Sequence, residues 1–181
     1  MKKEFIKLSS VLCIITLVAA LLLAGVNKIT APRIAKAEAK ATQEAMKKII
    51  PAADSFVELN ENVSAAKSGD NVIGYCAKVS TTGYGGEISM MVGLDVMAGV
   101  YGIEILSHSE TAGLGAKIVE DDFKKQFIGK DSMLEVVKSE TEDPNQFTAI
   151  TGATVSSRAI AKGIEMSLYL VDEAVREANS K

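Results

Sequence analysis

The chain has 181 residues, 48% hydrophobic and 24% charged, with a net charge of −3. That length leaves one ordinary domain once an apolar N-terminal segment is subtracted. The slight negative charge, scattered Lys and Arg and absent Trp give no electrostatic basis for binding nucleic acid.

Leu8 to Asn27 contains no charged side chain, and Val11 to Val26 is almost wholly apolar. About 20 such residues suffice to cross a lipid bilayer as a helix. Lys2, Lys3 and Lys7 precede the run, a pattern shared with cleaved signal peptides. The run exceeds an ordinary signal core, and no small-x-small site precedes a polar junction, so a retained membrane anchor is expected. A lipoprotein does not fit, because Leu23-Ala24-Gly25 is followed by Val26 where Cys is required. Apart from the Cys13 thiol the span carries no ionisable group, and such groups mark ion paths; the chain is not expected to conduct ions itself. Lys28, Arg33, Lys36 and Lys40 follow the span, so basic residues nearly balance across it. Long domains translocate largely regardless of nearby charge, and a short cytoplasmic tail with an extracytoplasmic domain is the expected arrangement.

Pro32 suits the first turn of a second helix. Ile34, Ala37, Ala41, Ala45, Ile49 and Ile50 mark one face of it up to Pro51, as a stalk. The expected organisation is therefore a tail and anchor over 1–27, a stalk and linker over 28–54, and a domain over 55–181. Glu61 to Asn71 is polar and reads as a loop. Val72–Val79, Glu87–Leu94 and Val100–Ser107 read as strands, the last two joined by a hairpin turn over Asp95 to Gly99. Cys76 in the first of these reads as a buried small hydrophobe. With Cys13 in the span, no disulfide framework exists. A loop, Glu110-Thr111-Ala112-Gly113-Leu114-Gly115, comes next. It lacks the third glycine of a dinucleotide fingerprint. A short helix around Asp121–Phe127 and short strands at Leu134–Lys138 and Phe147–Ile150 complete the middle. Strands flanked by helices at both ends predict an α+β domain, following the anchor, with antiparallel strands and a long C-terminal helix.

Thr151-Gly152-Ala153-Thr154 separates the last strand from that helix, predicted from about Val155 to Ala178 with Ile160, Ile164, Val171 and Val175 on its apolar face. Thr154 is expected at the N-cap. Gly152 permits a tight turn, and Ala153 keeps bulk away. Unpaired backbone N–H groups and the positive helix end favour a phosphate there. The plain alternative is a hydroxyl that caps the first turn.

Thr151–Thr154, Glu110–Gly115 and the segment Gly83-Tyr84-Gly85-Gly86-Glu87-Ile88 together resemble the FMN-binding domain family of ion-translocating membrane oxidoreductases. The likeness runs from about Val72 to Leu170. It is greatest to the G subunits of Rnf-type ferredoxin:NAD oxidoreductases, with the C subunits of sodium-pumping NADH:quinone reductases as relatives. The resemblance implies FMN joined covalently to Thr154 through a phosphoester, on a turn shaped by Thr151, Gly152 and Ala153. It implies flavin contacts from Glu110, Thr111, Gly113, Leu114, Gly115 and Tyr84, and assigns no catalytic residue and no metal ligand. It further implies an electron-transfer subunit with membrane and redox subunits as partners, matured by a flavin transferase. The chain departs from the family in having Ala112 where Pro is usual and Thr148 where Asp is usual. Two other readings are a membrane-anchored flavin sensor or carrier outside any complex, and a cofactor-free extracytoplasmic binding domain. His108, the single histidine, reads either as a surface residue at a strand end or as a flavin contact. One His and two separated Cys do not make a metal-ligand set.

Overall fold

The computed structural model describes residues 2–130, 134–139 and 141–180. They form two compact units, one ending at Lys40 and one from Ala41 onward. Helix α1 runs from Lys2 to Ile49 and contains Pro32. The break expected at Pro32 is therefore absent. Proline lacks the N–H that would bond four residues back, and this costs roughly 3 kcal/mol inside a helix. Ala31, Ala35, Ala37, Ala39 and Ala41 surround it, and alanine is the strongest helix former; they carry the helix past the missing bond. In the first unit the side chains of Ile14, Leu17, Leu21, Leu22, Leu23 and Val26 are exposed. Among the described residues α1 is the helix long and apolar enough to cross a membrane.

The second unit is built on a five-stranded antiparallel meander, β1 (Ser55–Glu58), β2 (Val63–Ser68), β3 (Asn71–Thr82), β4 (Glu87–Asp95) and β5 (Val100–His108). Each strand pairs with its chain neighbour. β2 occupies the stretch expected to be a loop, with Val63 opposite Ala77 and Ala65 opposite Tyr75. Its Ala-Ala-Lys-Ser composition has little strand propensity of its own. Pairing with β3 supplies the conformation. The β4–β5 hairpin forms as expected, and Asp95 Oδ1 accepts the N–H groups of Met97 and Gly99 at 2.7 and 2.9 Å.

Two further helices follow the meander, a short α2 (Asp121–Lys125) and the long C-terminal α3 (Thr154–Asn179). Pleating sends alternate residues of a strand to opposite faces. On one face of the sheet Val79, Ile88, Met90 and Val92 meet Ala159, Ile160 and Ile164 of α3 in the main core. A Cβ at Gly163 would overlap the end of Met90, so glycine lets α3 lie close to β4. On the opposite face Ala45, Met46 and Ile50, from the end of α1 and the residue after it, pack with Ala66, Cys76 and Met91. Gly93 makes room there for the Ile49 side chain, which a Cβ would overlap. Cys76 is 1% exposed, and burial pushes its thiol up to about 12. A two-stranded parallel pair, β6 (Glu135–Val137) and β7 (Gln146–Thr148), closes the domain. Phe123, Phe127 and Phe147 pack ring against ring, with centroids 5.0 to 6.3 Å apart.

Candidate functional site

The meander and α3 bring three segments, distant in sequence, to one place. Gly83–Gly86 is the turn between β3 and β4, closed by the Gly83 N–H on the Gly86 carbonyl at 2.7 Å. The loop after β5 begins at Ser109 and passes into a 3-10 turn over Gly115–Val119. The backbone of Thr111 anchors it, its carbonyl accepting the N–H groups of Leu114 and Ala116 at 3.2 and 3.1 Å. The third segment is the entry to α3. Gly152 there has φ +79°, a left-handed conformation open to glycine at no steric cost.

Between these segments lies a cleft of about 430 Å³. Tyr84 lines it from the first segment, Glu110, Thr111, Leu114 and Gly115 from the second, and Gly152 through Ser156 from the third. Gly152 and Thr154 also line an adjoining cleft of about 320 Å³, together with Thr151 and Lys138. Thr154 thus lies where the two clefts meet. Gly113 does not line either one; its φ of +77° serves the turn of its loop.

Thr154 is the first residue of α3, and Ala153 occupies the N-cap without a side-chain bond to the first turn. The N-cap expectation for Thr154 is corrected by one residue. Ser157 ties the turn to the helix instead of capping it: its hydroxyl accepts the Ile150 N–H and donates to the Ala153 carbonyl, both at 3.0 Å. The Thr154 hydroxyl has no protein partner among the described residues. A half-buried free hydroxyl beside the unpaired N–H groups of a helix start is suited to carry an anionic group.

Glu110 is buried, 8% exposed. Its Oε1 accepts the Gly85 N–H at 3.0 Å and its Oε2 accepts the Ser156 hydroxyl at 2.6 Å. Ser156, Val155 and Lys138 line the clefts without having been picked out from sequence, and Ser156 is the one bonded to Glu110. Two adjacent serines in the first turn of an amphipathic helix, both fully buried here, were the available signal. His108 is half-buried, and its Nδ1 accepts the Glu110 N–H at 3.2 Å. It supports the loop from the strand end and lines neither cleft. Thr148 is held outside the cleft, its hydroxyl donating to the Ser139 carbonyl at 3.2 Å. Among the described residues no group of three or more acidic, His or Cys side chains is placed to hold a metal.

Residues 83–168 match the FMN-binding domain family and residues 1–49 match the RnfG N-terminal region. The G subunit of the proton-translocating ferredoxin:NAD(+) oxidoreductase complex of Clostridium ljungdahlii is 34% identical over 88% of this chain and 88% of its own. The chain belongs to the G-subunit family of ion-translocating oxidoreductase complexes. Within that family, the G subunit of the Na(+)-translocating complex of Acetobacterium woodii is 34% identical over 93% of this chain and 92% of its own. The G subunit of Methanosarcina acetivorans is 30% identical over 93% and 95%. The likeness in fold extends to solved structures. The C subunit of the Na(+)-translocating NADH-quinone reductase from Parabacteroides distasonis matches with a TM-score of 0.50 and 24% identity over 59% of this chain and 58% of that one. All three segments of the cleft lie inside the FMN-binding match.

Proposed function

We propose that this chain is an electron-transfer subunit of a membrane-bound ion-translocating oxidoreductase of the ferredoxin:NAD type, and that it carries FMN as a phosphoester on Thr154. The observation that carries the reading is the free Thr154 hydroxyl at the meeting of two clefts, in a G-subunit chain. The residues present fit the group. The hydroxyl can form the ester, Gly152 leaves the turn open, and the start of α3 offers N–H groups and a positive dipole end to a phosphate. Leu114 and Tyr84, both exposed, offer an apolar side chain and an aromatic face to a planar ring. When bound, FMN would supply the reversible electron transfer that no side chain here can perform.

The chain's own residues then bind, orient and shield. α1 anchors the domain in the membrane through its apolar half. The span residues lack an ionisable group other than Cys13, so ion movement belongs to partner subunits. The domain lies on the extracytoplasmic side, matured there by a flavin transferase that reads the Thr151–Thr154 turn. A cysteine introduced at Ser180 is expected to react with an impermeant thiol reagent on intact cells; reaction only after lysis reverses the orientation.

The decisive experiment is an intact-mass measurement on the chain purified from its native membrane. The expected result is an increase equal to FMN less one water, the balance of an ester formed between a phosphate and a hydroxyl. An unmodified mass together with flavin released on denaturation would retain the cofactor and remove the linkage. No flavin in either form would remove both.

A further inference from the structure

We infer that Glu110 is a positioning residue, a buried carboxylate clamp that holds the cleft's three segments in register before any cofactor arrives. The inference rests on the function proposed above, because the cleft it organises is the proposed FMN site. The carboxylate has both oxygens engaged by protein donors: the backbone of Gly85 in the β3–β4 turn and the Ser156 hydroxyl in the first turn of α3. The loop after β5 carries it. One side chain therefore joins all three segments, over sequence separations of 25 and 46 residues. The Ser156 bond at 2.6 Å lies in the range of charge-assisted O–H to carboxylate bonds.

The surrounding glycines support the same role. A Cβ on Gly83 would overlap Glu110 Oε1, and one on Gly115 would overlap Glu110 Oε2 and the Ser156 hydroxyl. A Cβ on Gly85 would overlap the Ser109 carbonyl. These three positions are glycine because a protein carboxylate and its loop occupy the space beside them. Gly113 and Gly152 differ: both have positive φ, nothing lies within 4 Å of a Cβ at Gly113, and the nearest atom at Gly152 is 3.3 Å away. The glycines of the three segments are thus divided by purpose. Gly83, Gly85 and Gly115 accommodate the clamp, and Gly113 and Gly152 set backbone turns.

The test uses the full-length chain in detergent, with and without flavin transferase, as Glu110→Ala, Glu110→Gln, Ser156→Ala and Gly115→Ala, the last also in the Glu110→Ala background. Glutamine keeps an acceptor for Gly85 and presents an amide that the Ser156 hydroxyl can accept. Without transferase, Glu110→Ala is expected to speed backbone hydrogen exchange at Gly83–Gly86 and in the first turn of α3, while Glu110→Gln stays near the parent. With transferase, Glu110→Ala and Ser156→Ala are expected to take up flavin roughly ten- to a hundredfold more slowly, the loss that accompanies a misplacement of about 1 Å. Gly115→Ala alone is expected to be defective, and much less so once Glu110 is alanine. Unchanged exchange in Glu110→Ala overturns the clamp. Equal defects in Glu110→Gln and Glu110→Ala, with normal exchange in the former, overturn it in favour of a charge contact with the cofactor. If the parent takes up no flavin at all, the function proposed above fails. The exchange measurements still decide the clamp.

Discussion

The two faces of the sheet are covered by helices in different ways. The face under α3 is filled by large side chains, with Ile88, Met90, Ile118, Phe127, Phe147, Ile160 and Ile164 almost fully buried. The face under the end of α1 is lined by Ala66, Cys76 and Met91 and by Gly93, which receives Ile49. Each face uses a glycine for close approach, Gly163 under α3 and Gly93 under the end of α1, and the first face buries the greater bulk. The site grows from the first face, because α3 and the Phe127–Phe147 contact set where the Thr151–Thr154 turn emerges. The second face fixes the last turns of α1 to the domain and contributes nothing to either cleft that contains Thr154. Substitutions on the two faces should therefore separate flavin attachment from stability.

The largest effect is expected at the site itself. Thr154→Ala removes the proposed ester hydroxyl, and covalent flavin fluorescence on a denaturing gel should disappear. A surviving band would break the link between α3 and the chemistry. Next comes the packing contrast. Phe127→Ala empties a fully buried site between two other rings, at a cost of about 3–5 kcal/mol, and should slow attachment by loosening the turn after β7. Gly93→Val collides with Ile49 and should cost roughly 1–3 kcal/mol by overpacking, with attachment at the parental rate in the fraction that remains folded. Equal attachment defects in the two variants, measured at matched stability, would show that the faces are coupled.

Thr148→Asp is a smaller change with opposed consequences. It restores the acidic position usual in the flavin-attachment pattern, so modification should rise when transferase is limiting. It also removes the donor to the Ser139 carbonyl, which should lower stability by about 1 kcal/mol. A denaturant titration beside an attachment time course reads both. An effect confined to alkaline pH, and absent at neutral pH, concerns the α1 face. Burial favours the protonated Cys76 thiol, so its folded value of about 12 lies above the ordinary 9.0. The folded chain holds a proton that the unfolded chain releases, so this contribution is intact below pH 9 and is lost as pH rises toward 12. Cys76→Ala should flatten the decline in denaturation midpoint as pH rises through that window, whereas a parallel decline in both proteins would assign it to other groups.

Strands β3, β4 and β5 were legible because their own side chains favour extended structure, with Val72, Ile73, Val79, Ile88, Val92, Val100 and Ile103 in sequence order. β2 was not, because Ala65, Ala66 and Lys67 acquire strand conformation from their partner strand. Helix α1 was read as two helices because the local cost of Pro32 is visible in sequence while the support of the alanines around it is only cumulative. The motif residues were legible as motifs, and Tyr84, Thr111, Leu114 and Thr154 do share one cleft. Their organiser was not. Glu110 owes its role to donors supplied by Gly85 and Ser156, and no local pattern reveals a bond between residues that only the tertiary fold brings together.

The meander also sets an order of events. Strands that pair only with their chain neighbours close short loops, and short loops cost little entropy and form early. β1 to β5 can therefore assemble while the chain is still being delivered from its N-terminal end. The Thr154 cleft cannot, since its third wall belongs to α3, whose contacts with β3 and β4 span much of the domain. The cleft is completed only when α3 docks on the sheet, so a modification that requires the cleft would seal a domain whose core is already closed.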